Sequence, residues 1–302
     1  MGKKERFKLF ENVDFGIILF DELMKNHTSF KIGGPTDIMI IPKTEENIIN
    51  SVKFLRENNI KYFIMGNGTN LLLKDTGIRG AVIKIADEYN KISIDGDRIN
   101  CEAGALLSDI GKYTLEKSLT GFEFASGIPG AVGGAVTMNA GAYGGEMKDI
   151  VYKVRALDKG NNIIEISNED MNFRYRGSKV VDEDLIVLSA EFQLEKGDKS
   201  IIKEKMEDLA YRRKSKQPLE YPSGGSTFKR PEGYFAGKLI EDAGLRGLRY
   251  GDAQVSEKHC GFIINAGEVN FEEVYTLIQT VQKIVKDKFG VSLETEVKII
   301  GD

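Results

Sequence analysis

Two cysteines, Cys101 and Cys260, are all that the 302 residues carry, and they lie far apart in the chain. That is too few for a disulfide framework or a cysteine-built zinc site, so no metal centre is expected, and the usage suits a reducing, cytoplasmic setting. Histidine is equally scarce. His27 and His259 leave a hydrolytic triad short of candidate bases. No apolar run approaches the ~18 residues of a membrane span, and residues 1–10 alternate charge with aromatics instead of building a signal core. A basic excess is missing too: 42 basic side chains face 46 acidic ones, for a net charge of −4. No global positive field therefore draws the chain to nucleic acid or an anionic membrane. There is no internal repeat and no low-complexity segment. With 41% hydrophobic residues, wholesale disorder is excluded, since that state needs few apolar residues and a high net charge. At about twice the ~150 residues of a usual domain, two or three domains are expected.

The first third reads as alternating strand and helix. Short apolar strands are predicted over 38–41, 61–65, 71–73 and 81–85. Between the first two, Thr44 caps a helix in which Ile48, Val52 and Leu55 form one stripe. This predicts a small mixed sheet. From Ile92 the pattern becomes strand-rich and antiparallel: a hairpin turning at Asp95-Gly96-Asp97, a helix after Gly104, a second hairpin joining 151–157 to 163–166, and a strand over 185–194. After Gly197 a helix keeps Ile202, Met206, Leu209, Ala210 and Arg213 at helical spacing. A short helix closed by Gly244 and a strand over 261–265 follow. Asn270 with Glu273 then opens a long helix that Gly290 ends, and a final strand runs 291–300. Three blocks result: 1–86, 87–197 and 198–290.

Glycine is plentiful, at 33 residues where the usual ~7% would give about 21, and it is clustered. Gly66-Asn67-Gly68-Thr69-Asn70-Leu71 begins like a dinucleotide fingerprint, with Asp87 or Glu88 where a ribose-binding acid would stand. The third glycine is replaced by Leu71, however, and an apolar run follows in place of a helix, which argues against a Rossmann site. An anion-binding nest and a tight turn both remain open for this loop. The second cluster puts eight glycines between Gly121 and Gly145. Its stretch Ser126-Gly127-Ile128-Pro129-Gly130-Ala131-Val132-Gly133-Gly134, continuing through Thr137, Asn139, Gly141 and Ala142 to Tyr143, is small, apolar and almost uncharged. A flexible linker would be polar, so a buried bed for a planar cofactor explains it better. A Walker loop is absent, because Gly111-Lys112 is followed by Tyr113.

These two loops, with four further motifs, resemble the UDP-N-acetylenolpyruvoylglucosamine reductase (MurB) family. The further motifs are His27-Thr28-Ser29-Phe30-Lys31-Ile32-Gly33-Gly34-Pro35, Phe173-Arg174-Tyr175-Arg176-Gly177-Ser178, Gly224-Gly225-Ser226-Thr227-Phe228-Lys229-Arg230-Pro231 and Leu293-Glu294-Thr295-Glu296-Val297. The likeness spans roughly residues 27–300. No long insertion separates Tyr175 from Lys216, so the chain is similar to the shorter, type II branch. The resemblance implies an α+β chain. Two subdomains form an FAD-binding unit of the vanillyl-alcohol-oxidase/PCMH type, the first completed by the terminal strand 291–302, and a C-terminal domain binds substrate.

It also implies NADPH-dependent reduction of an enolpyruvyl ether on a UDP-sugar, through FAD. Neither glycine loop contains His or Cys, so the FAD is expected to be held non-covalently. The implied FAD-binding residues are Gly66, Asn67, Gly68, Thr69, Asn70, Gly127, Ile128, Gly130, Gly133, Gly134, Thr137, Asn139, Gly141 and Ala142. Ser226 is matched to a proton donor, which would need polarising by positive charge such as its sequence neighbours Lys229 and Arg230. Arg176 is matched to the group that binds developing carboxylate charge, and Glu296 to a carboxyl that assists the enolate and would have to be protonated to donate. Tyr175, Arg212, Lys216, Lys229, Arg230, His259 and Lys298 are the implied substrate residues. Arg230 stands where some members have asparagine, and Lys298 where some have arginine.

Each has a plainer reading: a Gly-Gly-Ser turn, a surface arginine beside Arg174, and a solvated Glu294/Glu296 pair sharing one face of an alternating strand. The six basic residues between 211 and 230, against the single acid Glu220, suggest a diphosphate clamp or, for Arg212 to Lys214, a solvated helix end. Another flavoprotein of the same fold acting on a sugar or lactone alcohol, and a non-catalytic flavin module, are the competing functions. A monomer is expected.

Overall fold

In the computed structural model, which describes residues 3–86 and 88–302, the first block builds a mixed sheet in the order β1–β2–β5–β3. β2 (Pro35–Ile41), β3 (Tyr62–Met65) and β5 (Ile78–Lys84) run parallel, and β1 (Ile17–Leu23) adds an antiparallel edge. α2 (Glu45–Glu57) starts where Thr44 Oγ1 accepts from the Asn47 N–H, a cap worth ~1 kcal/mol. Its Ile48, Val52 and Leu55 are fully buried with Ile38, Ile40 and Ala81 of the sheet. Asp87, one of the two acids weighed for a ribose contact, lies outside the described residues.

Two elements of this first block, a strand and a helix, escape the pattern reading. β1 is half-buried along most of its length and shows no alternation. α1 (Lys3–Leu9) is too short to stand alone. Docking holds it: Phe7 lies 4.2 Å from the Phe20 ring, and Arg6 pairs with Asp21 and Asp37 at 3.1 Å each.

The middle block is an antiparallel sheet ordered β12–β11–β13–β7–β6. β6 (Ile92–Asp95) and β7 (Arg98–Glu102) form the first hairpin, and β11 (Val151–Leu157) and β12 (Ile163–Ser167) the second. β13 (Ile186–Gln193) joins them. Between the hairpins come α3 (Leu107–Glu116), β8 (Leu119–Thr120), α4 (Val132–Thr137) and the small ribbon β9 (Gly141–Ala142) with β10 (Gly145–Glu146). α5 (Lys179–Glu183) precedes β13, and β14 (Glu195–Lys196) pairs with β8. The glycine-rich stretch is therefore part helix. Gly133 sits tight on it, where an added Cβ would come within 3.2 Å of the Ala103 Cβ.

α6 (Lys199–Lys216) leads into the last block, which holds α7 (Ala236–Asp242), a three-stranded sheet of β15 (Arg249–Tyr250), β16 (Ala253–Val255) and β17 (Ile263–Asn265), and α8 (Phe271–Phe289). The capping box of Asn270 and Glu273 opens α8, and Gly290 closes it in the left-handed conformation. Its stripe Val274, Leu277, Ile278, Val281 and Val285 is buried together with Phe30, Ile32 and Leu72 from far earlier in the chain. At roughly 1.5–3 kcal/mol for each large apolar side chain, that shared core ties the opening motif to the C-terminal block.

The expected strand over 291–300 does not form as one piece. β18 (Lys298–Ile300) pairs in parallel with β4 (Leu71–Leu73). Residues 294–296 pair instead with 227–229: the Lys229 N–H donates to Glu294 O and the Glu296 N–H to Thr227 O, each at 2.8 Å, around a Phe228–Thr295 bridge. The chain exchanges partners at Val297, so no single alternation runs through it.

Candidate active site

Between the two glycine loops and the end of α6 lies a cleft of about 1550 Å³, larger than the ~300–1,000 Å³ typical of a small-ligand pocket. Residues 66–70 line it, as do Ile128, Gly130, Gly133, Gly134, Thr137, Gly141 and Ala142. The walls are backbone where side chains are missing. A Cβ built on Gly134 would meet nothing within 4 Å, and one on Gly66 only Ala131 and the Ile85 carbonyl at 3.8 Å. Gly68 needs its positive φ of 62°, and a side chain there would strike the His27 carbonyl. Among the described residues no His or Cys lines the cleft. An open floor with exposed backbone and no attachment residue fits a flat, non-covalently held cofactor.

Arg176, Ser226 and Glu296 line this cleft and also a second cavity of about 350 Å³ beside it. All three therefore stand where the two spaces meet. Arg176 is delivered by a tight turn in which the Arg174 N–H donates to Gly177 O at 3.0 Å and the Gly177 N–H to Arg174 O at 3.2 Å. Its own φ is +55°, a left-handed conformation that costs a non-glycine residue about 1–2 kcal/mol. From there its Nε donates to Glu296 Oε1 at 2.6 Å. Tyr175, beside it on the turn, reaches the C-terminal block, where its hydroxyl accepts from the Arg230 N–H at 3.0 Å. Burial pushes the Glu296 carboxyl above the ordinary carboxylate range, against the opposing pull of Arg176.

Ser226 follows Gly225, whose φ is +76°, and Gly224, where a Cβ would press Val297 and Phe30 at 2.9–3.0 Å. The next residue fixes the segment: the Thr227 N–H donates to Gly261 O at 2.8 Å, and its hydroxyl accepts from the Ile263 N–H at 2.9 Å. The terminal segment is tied to the first glycine loop as well. Asn70 Nδ2 donates to Glu296 O at 3.2 Å, and the Lys298 N–H donates to Asn70 O at 2.9 Å.

Residues 217–300 match the family model for the UDP-N-acetylenolpyruvoylglucosamine reductase C-terminal domain, and residues 36–167 match that of an FAD binding domain. The chain is 56% identical to the UDP-N-acetylenolpyruvoylglucosamine reductase of Caldanaerobacter subterraneus subsp. tengcongensis, over 98% of this chain and 97% of that one. It is 55% identical to that of Clostridioides difficile, over 94% of each. The chain belongs to the UDP-N-acetylenolpyruvoylglucosamine reductase family. The crystal structure of the reductase from Thermus caldophilus superposes with a TM-score of 0.81 at 33% identity, covering 94% of this chain and 98% of that one. A Phl p 4 glucose oxidase variant, 15% identical with a TM-score of 0.50 over 63% of this chain and 44% of its own, shares the fold alone.

The remaining residues expected from the reductase family fall into three groups. Lys298 lines the large cleft, and Tyr175, Arg230 and His259 line the smaller cavity. The Arg230 guanidinium lies 4.0 Å from the Phe235 ring centroid. His259 Nδ1 accepts from the Gly261 N–H at 3.1 Å, which leaves the proton of the neutral ring on Nε2, and burial lowers the ring's pKa. Gly127, Asn139, Arg212, Lys216 and Lys229 line neither space.

Lys229 pairs with Glu294 at 2.9 Å, and Arg212 with Asp208 at 2.8 Å. The basic cluster is thus divided, and Lys229, though it lines neither space, is near enough to Glu296 to pull its pKa downward. Asn139 is 2% exposed and is bonded within the protein.

Arg213, counted in the basic cluster but not among the implied binding residues, is the member of Arg212–Lys216 that lines the large cleft. It enters the large cleft over Gly127, whose missing Cβ would sit 3.2 Å from its Nε, and its guanidinium is 5.9 Å from the Tyr143 ring centroid. Among the described residues it has no carboxylate partner, and desolvation lowers its pKa. The signal was present: Arg213 continues the Ile202–Met206–Leu209 stripe of α6, a face on which a charge needs a reason to be.

Proposed function

We propose that this protein reduces UDP-N-acetylglucosamine enolpyruvate to UDP-N-acetylmuramate at the expense of NADPH. The step belongs to peptidoglycan precursor synthesis, and through it to cell-wall growth, shape and division in the cytoplasm. The observation that carries the reading is the shared wall formed by Arg176, Ser226 and Glu296 between the two cavities. FAD, held non-covalently by residues 66–70 and the 128–142 stretch, would take hydride from NADPH and supply it to C3 of the enolpyruvyl group.

The side chains have the rest to do. Arg176 binds the substrate carboxylate, into which negative charge spreads as the double bond is reduced, and its fork strengthens its hold as that charge grows. Ser226 Oγ gives its proton to C2, a strongly basic carbon at that moment, which is why so weak an acid suffices. Glu296, whose carboxyl burial shifts toward the protonated form, would in that form donate to the enolate oxygen, and it is held in register by Arg176 and by Asn70 at its backbone. Arg230, His259 and Tyr175 line the smaller cavity beside them, which suits the UDP-sugar. Arg213 offers an unpaired guanidinium to phosphate on the wall of the large cleft. In this reading 1–86 and 87–197 form the FAD-binding unit, strand 291–302 completes it, and 198–290 receives the substrate. The protein acts as a monomer, without nucleic acid or membrane.

The test is a visible spectrum followed by turnover. The purified protein should be yellow, bleach with NADPH, and consume NADPH continuously only when the enolpyruvyl nucleotide is added. A colourless folded preparation, or turnover of a sugar alcohol with oxygen in its place, would overturn the reading.

A further inference from the structure

The geometry points to Asn139 as the residue that positions Arg176, in place of the cofactor contact expected from its motif. Asn139 follows α4, whose residues face the large cleft, yet its own side chain turns away and is 2% exposed. Its backbone is left-handed, with φ +43°, and its three polar contacts all stay inside the protein. Oδ1 accepts from the Lys148 N–H at 2.9 Å, Nδ2 donates to Glu146 Oε2 at 2.9 Å, and Nδ2 also donates to Arg174 O at 3.2 Å.

The last contact matters most, because Arg174 O is the carbonyl that closes the turn carrying Tyr175 and Arg176. The far side of that turn is tied to the same helix end, where buried Ser178 Oγ donates to Thr137 O at 2.9 Å. Both feet of the turn therefore stand on the C-terminal end of α4, while its tip reaches Glu296 and the Arg230 N–H. Arg176 holds its left-handed φ only because the turn is fixed at each end. Releasing Arg174 O frees the turn to relax, and the guanidinium leaves the shared wall. The segment that beds the cofactor thus also sets the direction of the arginine.

The inference rests on the proposed role of Arg176, and the experiment separates the two. Asn139→Gly, which tolerates the left-handed backbone, is compared with Arg176→Ala and with the double variant. The readouts are FAD affinity of the apoprotein, the rate of flavin reduction by NADPH, and the rate of flavin reoxidation by the enolpyruvyl nucleotide. Asn139→Gly should slow reoxidation at least tenfold while FAD affinity and the NADPH step stay within about twofold. In the Arg176→Ala background the same change should cost nothing further, since the group it positions is gone.

An equal loss in both backgrounds, an unchanged reoxidation rate, or a tenfold drop in FAD affinity would overturn the positioning role while leaving that of Arg176 intact. If Arg176→Ala itself reoxidises normally, the proposed role of Arg176 falls, and this inference with it. Should Asn139→Gly not fold, Asn139→Ser, uncharged beside Glu146 and too short to reach Arg174 O, carries the same expectations.

Discussion

Glu294 and Glu296 stand two residues apart in opposite surroundings: the first side chain is 74% exposed and paired with Lys229, the second 12% exposed against Arg176. Burial raises the pKa of the second and ion pairing lowers that of the first. For Glu296 the sign follows directly. A carboxyl whose folded pKa exceeds its unfolded value binds more protons in the fold, so stability falls as pH rises from the ordinary carboxylate range, near ~4.3, through the raised value. Glu296→Gln should therefore gain in melting temperature on the parent across that window, and should lose the alkaline limb of the reoxidation rate while keeping more activity than Glu296→Ala. A melting difference that does not change between about pH 4 and 7 would show that Glu296 titrates normally.

The same pair shows where sequence reading stops. Thr44, Asn270 with Glu273, and Gly290 announce their caps because capping is local chemistry. The hairpins are legible because alternation and a turn dipeptide coincide. The break at Val297 is not, because it depends on which distant segment each half meets: 227–229 for one, Leu71–Leu73 for the other. Alternation placed Glu294 and Glu296 on one face, and what separates them is the turn carrying Arg176, which meets Glu296 and leaves Glu294 exposed beside Lys229. Phe30 likewise belongs to a core assembled mostly from residues between Phe228 and Val297. Of the site, Arg176, Ser226 and Glu296 were visible through whole motifs and Arg213 through the basic cluster and its helical spacing, whereas nothing local distinguishes Asn139, whose side chain points inward, from its cleft-lining neighbours.

Ser226→Ala tests the proton transfer. Thr227 and the two preceding glycines, which carry the loop's backbone and packing, are untouched, so the fold and the NADPH step should be preserved. Reoxidation by the enolpyruvyl nucleotide should fall by about 10²–10⁴, the usual contribution of a positioned acid. Stopped-flow absorbance of the flavin reads both steps in one preparation. Loss of both, or of neither, would remove Ser226 from that role.

Arg213 reaches the cleft with no carboxylate partner among the described residues. Burying an unpaired charge is costly, so a bound anion should recover what the apoprotein lacks. Arg213→Ala is expected to weaken the binding of FAD or of the nucleotide substrate at least tenfold and, in the apoprotein, to leave the melting temperature level or raise it. Arg213→Lys should restore only part of the affinity, because a point charge replaces a bidentate fork. Titration calorimetry with each ligand separately identifies which phosphate is met. A melting temperature that drops in Arg213→Ala with both affinities intact would make the residue a structural one.

Gly134 offers a test of the cofactor bed that separates space from stability. It lies in α4, where glycine costs about 0.5–1 kcal/mol relative to alanine, and a Cβ there would meet nothing within 4 Å. Any side chain at this position projects into the cleft. Gly134→Val should therefore give a protein that folds as well as the parent but is colourless, with FAD affinity reduced by at least a hundredfold. Gly133→Val is the contrasting case, because its Cβ would press on Ala103 at 3.2–3.3 Å and should lower the melting temperature through the core. Paired visible spectra and thermal melts of the two variants settle the matter: a yellow Gly134→Val protein would mean that the ring system lies elsewhere, and the reading of residues 128–142 as its floor would have to be abandoned.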